Sequence, residues 1–199
     1  MQKVNKPAIL LIALCIFFIS GCSNNSQGGA SVEYEVVRFV VDEAVINTND
    51  DFKVVEPVFW SVSIYDGEKQ YEKDLEAFSL PQRYVFAIEW YMAEVNNGGH
   101  DQFYWNSTGI VWEDAMNGFQ AIKAQINYEI IKESANMMGG NPSKNWDKRQ
   151  NQLEKFEPDF STLDDRFYES EAQMIELLLK YIKENAADFF FDGEVKIPK

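Results

Sequence analysis

Apolar positions recur with the period of a helix over most of this chain. Leu80, Tyr84, Ile88, Tyr91, Met92 and Val95 trace one face, at the spacing of an amphipathic helix. Ser79 and Gln82 precede that face as a capping box, in which each side chain satisfies a free backbone donor at the helix start. Asn97-Gly98-Gly99 is the predicted stop, since both residue types tolerate left-handed backbone. A longer helix is predicted from Trp112 to Met138, with Ala115, Phe119, Ile122, Ile126 and Ile130 as its stripe and Gly139-Gly140-Asn141-Pro142 as its end. Trp146, Gln150, Leu153 and Phe156 mark a shorter helix with a narrow apolar edge. Ser161-Thr162-Leu163-Asp164 resembles a further capped start, and Phe167, Met174, Leu178, Tyr181 and Ile182 continue it to about Asp188. The aromatic run Phe189-Phe190-Phe191 is expected to pack back on the domain.

The pattern is more ambiguous toward the N-terminus. Val36, Val37, Val40, Val41, Ala44 and Val45 follow helical spacing, while their β-branched content suits a strand; the spacing favours a helix. Asn47 to Asp51 reads as a turn-rich break. Pro57 is placed in the first turn of a helix that carries Phe59, Trp60, Val62 and Ile64 before Asp66-Gly67 stops it. With no internal repeat, these elements predict an all-α fold, a single bundle of amphipathic helices joined by short loops.

Before the first of these elements, Lys3 and Lys6 precede an apolar run from Ala8 to Ile19, and Ile19-Ser20-Gly21-Cys22 closes it. A basic stretch, an apolar stretch and a small-residue site in that order form a secretory leader. An apolar residue, two small residues and Cys resemble a bacterial lipobox. The expected organisation is a lipoprotein signal peptide over 1–21, a flexible lipid-proximal tether over 22–31 and an acidic all-α domain over 32–199. Lipidation is expected at Cys22, which would tie the chain to the membrane. The apolar run is short of the ~20 residues a spanning helix needs. The resemblance to a lipobox makes the cell envelope the expected location. In other lipoproteins an Asp after the Cys, lacking here, retains the protein in the inner membrane, so resemblance to them favours the outer membrane if the cell has two.

Composition changes the picture in two respects. Cys15 would leave with the leader and Cys22 would carry lipid, which excludes a thiol nucleophile, a cysteine zinc site and a disulfide scaffold. The formal charge is -14, and a leader that takes two of the 18 basic residues and none of the 32 acidic ones leaves -16. That excess disfavours direct binding to nucleic acid and favours a basic protein partner. Candidate acidic surface residues are Asp164, Asp165, Glu169, Glu171 and Glu176, with a second group at Glu68, Glu72, Asp74 and Glu76.

The stretch from Glu94 to Gly109 has the most chemical character. Glu94, Asn96, Asn97, Gly98, Gly99, His100, Gln102, Phe103, Tyr104 and Asn106 combine glycines, amides, carboxylate and aromatics in what reads as a loop. The glycines permit a sharp reversal, and the polar side chains can satisfy the backbone ends on both sides of it. Phe103 and Trp105 are expected inward, with Tyr104 keeping a polar tip. From Glu94 to Ser107 the chain resembles the DNA mimic protein nineteen-like family, whose signature runs Glu-Val-Asn-Asn-Gly-Gly into an aromatic-rich segment ending Asn-Ser. His100 stands where that family more often has Phe. The resemblance extends from about Pro57 to Ala187 and implies a mostly helical fold. The best known member occupies a transcription factor by imitating DNA phosphates, and no residue of this chain can be matched to that surface.

Three functional readings follow: an acidic interaction or inhibitor module for a basic envelope protein, a structural or small-ligand-binding lipoprotein whose five tryptophans line a pocket or fill a core, and a hydrolase centred on His100 with Glu94 and Asp101 nearby. The first is preferred. No catalytic residue, metal site or cofactor is assigned.

Overall fold

Residues 33–199 are described by the structure, a computed structural model, and this span begins and ends in one antiparallel ribbon. The leader, Cys22 and the tether lie outside the described residues. Strand β1 (Tyr34–Val41) pairs with β2 (Phe191–Pro198), in a register running from Tyr34 opposite Pro198 to Val41 opposite Phe191. This corrects the helical reading of the N-terminal segment. The doublets Val36-Val37 and Val40-Val41 fit either period, and the choice falls to a pairing partner about 150 residues away in sequence, which no local pattern reveals. Val37, Phe39 and Val41 turn toward the body while Val36, Arg38 and Val40 face solvent, the alternation of a half-buried strand.

Helix α1 (Glu43–Ile46) follows, its first amides capped by Asp42. Helix α2 (Asp51–Ser61) starts earlier than Pro57 suggested, because Asp50 accepts from the Lys53 N–H at 3.1 Å and caps the chain there. Pro57 therefore lies inside the helix, and Val54, Val55, Pro57 and Val58 form the buried face. Helix α3 (Glu68–Leu75) leads to α4 (Leu80–Trp105). The capping box is formed: Ser79 Oγ accepts from the Gln82 N–H, and Gln82 Oε1 accepts from the Ser79 N–H. Ile88, Tyr91, Met92 and Val95 are buried, whereas Leu80, in the first turn, is exposed.

The predicted long helix is two helices, α5 (Trp112–Ala121) and α6 (Gln125–Met137). The break is a Schellman closure: the Lys123 N–H bonds the Gln120 carbonyl at 3.2 Å and the Ala124 N–H bonds the Phe119 carbonyl at 2.9 Å. Lys123 takes the left-handed position usually held by glycine, with φ 64°, so composition gives no sign of it. Ile126, just beyond the break, is exposed instead of joining the stripe. At the far end of α6 the same closure uses Gly139 and Gly140, as the sequence indicates.

Helices α7 (Trp146–Phe156), α8 (Ser161–Glu184) and α9 (Ala186–Phe189) complete the bundle. The start of α8 has no cap from Ser161; Asp159 accepts the Ser161 N–H instead. On α7 only Gln150 and Leu153 of the predicted edge are buried, and Trp146 and Phe156 face solvent. Phe189 is buried, Phe191 packs against the core and Phe190 is exposed. Helix α4 is central, meeting α2, α5, α7, α8 and α9. The fold is predominantly α, and among the described residues no helix is long and apolar enough to cross a membrane.

Candidate functional site

The Glu94–Asn106 segment is a kinked helix, not the loop its composition suggests. Helix α4 runs to Asn97, breaks at Gly98 (φ -158°, ψ 25°) and Gly99 (φ 73°, ψ -174°), and resumes from His100 to Trp105. Gly99 occupies backbone space that is essentially closed to residues with a side chain. A Cβ there would also stand 2.5 Å from Asp164 Oδ2. The kink lets α8 reach into the break.

At the restart, Asp164 of α8 accepts the His100 backbone N–H at 2.9 Å, serving as an N-cap supplied by a different helix. The same oxygen accepts from His100 Nδ1 at 2.5 Å, and the Tyr91 hydroxyl lies 2.6 Å from Nε2. Burial, reinforced by the nearby Tyr104 phenol and the Asp164 charge, pushes the Tyr91 phenol well above its ordinary range. It is therefore a neutral hydroxyl against Nε2, while the Asp164 carboxylate accepts from Nδ1–H. His100 has no exposed surface, and the rings of Tyr91 and Phe160 pack on it at 5.5 and 5.6 Å.

Glu94 organises the other side of the corner. It accepts from Gln102 Nε2 at 2.7 Å, Asn106 Nδ2 at 2.9 Å and Thr108 Oγ1 at 2.9 Å, which ties the last full turn before the kink to the 3-10 turn Ser107–Val111. Asn96 donates to Glu171, and the Tyr168 hydroxyl donates to the Val95 carbonyl, one of those released by the kink. Asn97 is exposed.

Arg149, which sequence reasoning passed over, closes the C-terminal end of α4. Its guanidinium is fully buried without a carboxylate and donates to the carbonyls of Tyr104, Asn106, Ser143 and Lys144. A cation at this end complements the helix dipole; burial nonetheless pushes its pKa down to about 10. Trp146 Nε1 and Gln150 Nε2 both donate to the Trp105 carbonyl. Gly109 leaves the space Arg149 needs, since a Cβ there would meet its Nε at 2.5 Å. A lone arginine in a polar helix carries no sequence signal of burial.

The aromatic trio is distributed differently from expectation. Phe103 and Tyr104 are buried, Tyr104 with its hydroxyl 2.9 Å from Ser134 Oγ, and Trp105 is 54% exposed. Trp112 is buried, Trp60 and Trp90 are partly so, and Trp146 is exposed. The five indoles thus neither line one pocket nor all fill the core. Of the acidic candidates on α8, Asp165, Glu169 and Glu176 face solvent, while Asp164 and Glu171 hold the corner. Glu68, Glu72 and Glu76 are exposed, and Asp74 accepts from Ser63 and Gln70.

His100, Glu94 and Asp101 do not converge: His100 is committed to Tyr91 and Asp164, Glu94 to its three donors, and Asp101 faces outward. Among the described residues no group of three or more His, Cys, Asp or Glu side chains could hold a metal ion. The arrangement binds helix to helix and presents carboxylates and indoles outward.

Comparison with known proteins is consistent with a corner that organises this fold. The sequence profile of the DMP19-like proteins matches residues 76–185, which spans the corner and every helix that closes it. No curated protein and no solved structure matches the chain. With more than half its length matched, the chain belongs to the DMP19-like protein family.

Proposed function

We propose that this protein is a lipid-anchored acidic interaction module that binds, and so inhibits or holds, a basic protein of the cell envelope. The observation that carries the reading is charge. The chain has 32 acidic against 18 basic residues, and Asp165, Glu169 and Glu176 on α8 and Glu68, Glu72 and Glu76 around α3 stand in solvent. Asp165 and Glu169 share a helix face at about 6 Å along the axis. A surface of this sign steers basic partners and repels nucleic acid. Membership of a family that includes a DNA mimic points the same way.

Location selects the partner. A lipoprotein leader over 1–21, cut before Cys22, would put the domain outside the cytoplasm, held by acyl chains on a short tether, and on the outer membrane where there are two. A transcription factor is then out of reach, and a basic envelope protein such as a toxin or nuclease is the compatible target. The closed environment of His100, with both ring nitrogens engaged, supports a role in holding the fold over one in catalysis.

The test has two arms. Metabolic labelling with palmitate should mark the full-length chain in the membrane fraction, and Cys22→Ser should abolish both label and membrane association; an unlabelled, secreted wild-type chain would remove the anchor. Pulldown from envelope extract at low salt should recover a basic protein that is released by about 0.5 M salt, where screening is strong. Recovery of no salt-sensitive partner would remove the interaction reading.

A further inference from the structure

The kinked corner places an aromatic ring and three carboxylates around one open groove. The second half of α4 contributes Asp101 and Trp105, one turn apart on the same face. The end of α7 contributes Leu153 and Glu154, and Glu157 and Pro158 close the far side. The space is about 540 Å³, room for one or two side chains. No lysine or arginine lines it; the adjacent Lys155 lies over the Phe156 ring at 4.9 Å.

Two features separate this groove from a merely solvated acidic face. The first is Trp105, which is more than half exposed although its neighbours Phe103 and Tyr104 are fully buried. Its backbone is held: the carbonyl accepts from Trp146 Nε1 at 2.9 Å and from Gln150 Nε2 at 2.5 Å. The indole is therefore presented on a fixed support, with exposed Trp146 beside it. Tryptophan is among the residues enriched where binding energy concentrates at protein interfaces. The second is electrostatic. Desolvation, and then the charges of Asp164 and Asp159, push the Asp101 carboxyl up. Asp101, Glu154 and Glu157 line the groove together, and no lysine or arginine of its lining faces them.

Resting on the reading of the protein as an acidic interaction module, we propose that this groove receives an arginine side chain from a basic polypeptide segment. The guanidinium stacks on the Trp105 indole, and Asp101, Glu154 and Glu157 accept its N–H groups. Arginine fits better than lysine because its planar, weakly hydrated cation can stack on an aromatic face and hydrogen-bond at its edge simultaneously.

The test is an NMR titration of the domain with a nine-residue Gly/Ser peptide bearing three arginines, alongside lysine and citrulline versions. The Trp105 indole N–H signal, assigned by its loss in Trp105→Ala, should move on titration. Arginine should bind several-fold tighter than lysine, and citrulline should not bind. Trp105→Ala and Glu154→Gln should each weaken the arginine peptide about 5–10-fold with the circular dichroism of the folded domain retained, because the Trp105 carbonyl, which accepts from Trp146 and Gln150, is kept in both. If the arginine peptide binds but moves signals on α8 alone and is indifferent to Trp105→Ala, the groove assignment is overturned while the acidic module stands. If neither the peptide nor a basic envelope protein binds, both fall.

Discussion

Asp164 and His100 lie 64 positions apart in sequence, yet one carboxylate oxygen accepts both the backbone N–H of His100, at 2.9 Å, and its ring Nδ1–H, at 2.5 Å. That oxygen does for the restarted half of α4 what a local Ser or Asp does for an ordinary helix start. It also gives the buried imidazole a partner. Helix α8 is thereby fastened to the kink of α4, and Gly99 is the residue whose missing side chain lets the carboxylate in.

Removing the carboxylate should expose the cost of that arrangement. Asp164→Ala leaves a helix-start amide and a buried ring N–H without an acceptor, and should lower unfolding free energy by about 3 kcal/mol. Asp164→Asn keeps one acceptor oxygen and should lose roughly half as much. His100→Phe retains aromatic volume between Tyr91 and Phe160 but orphans the Tyr91 hydroxyl; a loss of about 1–3 kcal/mol with the fold preserved is expected. Urea denaturation of the three variants, with circular dichroism of each native state, checks these values.

The two glycines of the kink should respond unequally. Gly99→Ala combines a disfavoured backbone region with a clash against Asp164, and about 3 kcal/mol or more should be lost. Gly98→Ala brings its Cβ to 2.9 Å from the Gln102 Cβ and against an amide held by Glu94, but φ there is negative, so a smaller loss of about 1–2 kcal/mol is expected. Equal thermal shifts for the two would contradict the division of labour described here.

Arg149 should behave as a structural bolt. Arg149→Ala leaves four carbonyls, those of Tyr104, Asn106, Ser143 and Lys144, to find other donors, and should cost about 3–5 kcal/mol. Arg149→Lys keeps the charge but cannot span that set, so it should fall between Ala and wild type. Hydrogen exchange should show the α4–α7 contact opening first in both variants.

Stability should also depend on the carboxyl pair of Glu89 and Asp51 at the α2–α4 contact. Burial, then the Asp51 charge and a hydrogen bond from the pair, push Glu89 well above the usual carboxylate range, and its Oε1 is sealed from solvent without a partner. A raised folded-state value means the stabilising contribution is complete at low pH and is lost as pH rises through it. Glu89→Gln should therefore match wild type near pH 4 and exceed it at pH 8 by about 1–3 kcal/mol. Thermal melts across that range give the comparison directly.

Much of the helical frame was readable because its signals are local. Ser79 and Gln82 cap α4, Gly139 and Gly140 end α6, and the stripe Phe167, Met174, Leu178 and Ile182 is buried along α8. The errors fall where a local signal was missing or overridden. Lys123 adopts the glycine position of a helix stop, Asp50 starts α2 ahead of Pro57, and β1 depends on a strand at the other end of the chain. Composition marks the Glu94–Asn106 segment but not its shape, a helix kinked at Gly98 and Gly99. Glycines predict a break, but only contact with Asp164 shows that the helix resumes after it.

By itself, the sequence determined what periodicity and composition carry: the predominantly α character, the acidic excess, the family signature around Asn97-Gly98-Gly99, and the expectation of a lipidated Cys22. Tertiary structure decided which polar residues serve the fold and which remain available to a partner. His100 invites a catalytic reading in the sequence and Arg149 attracts none, yet both are buried supports in the fold, while Trp105, expected inward, stands in solvent. The physical reason is that a buried polar group is defined by its partners. The Asp164 partner of His100 and the Tyr104 and Asn106 partners of Arg149 come from other parts of the chain, whose positions are set only once the core has packed.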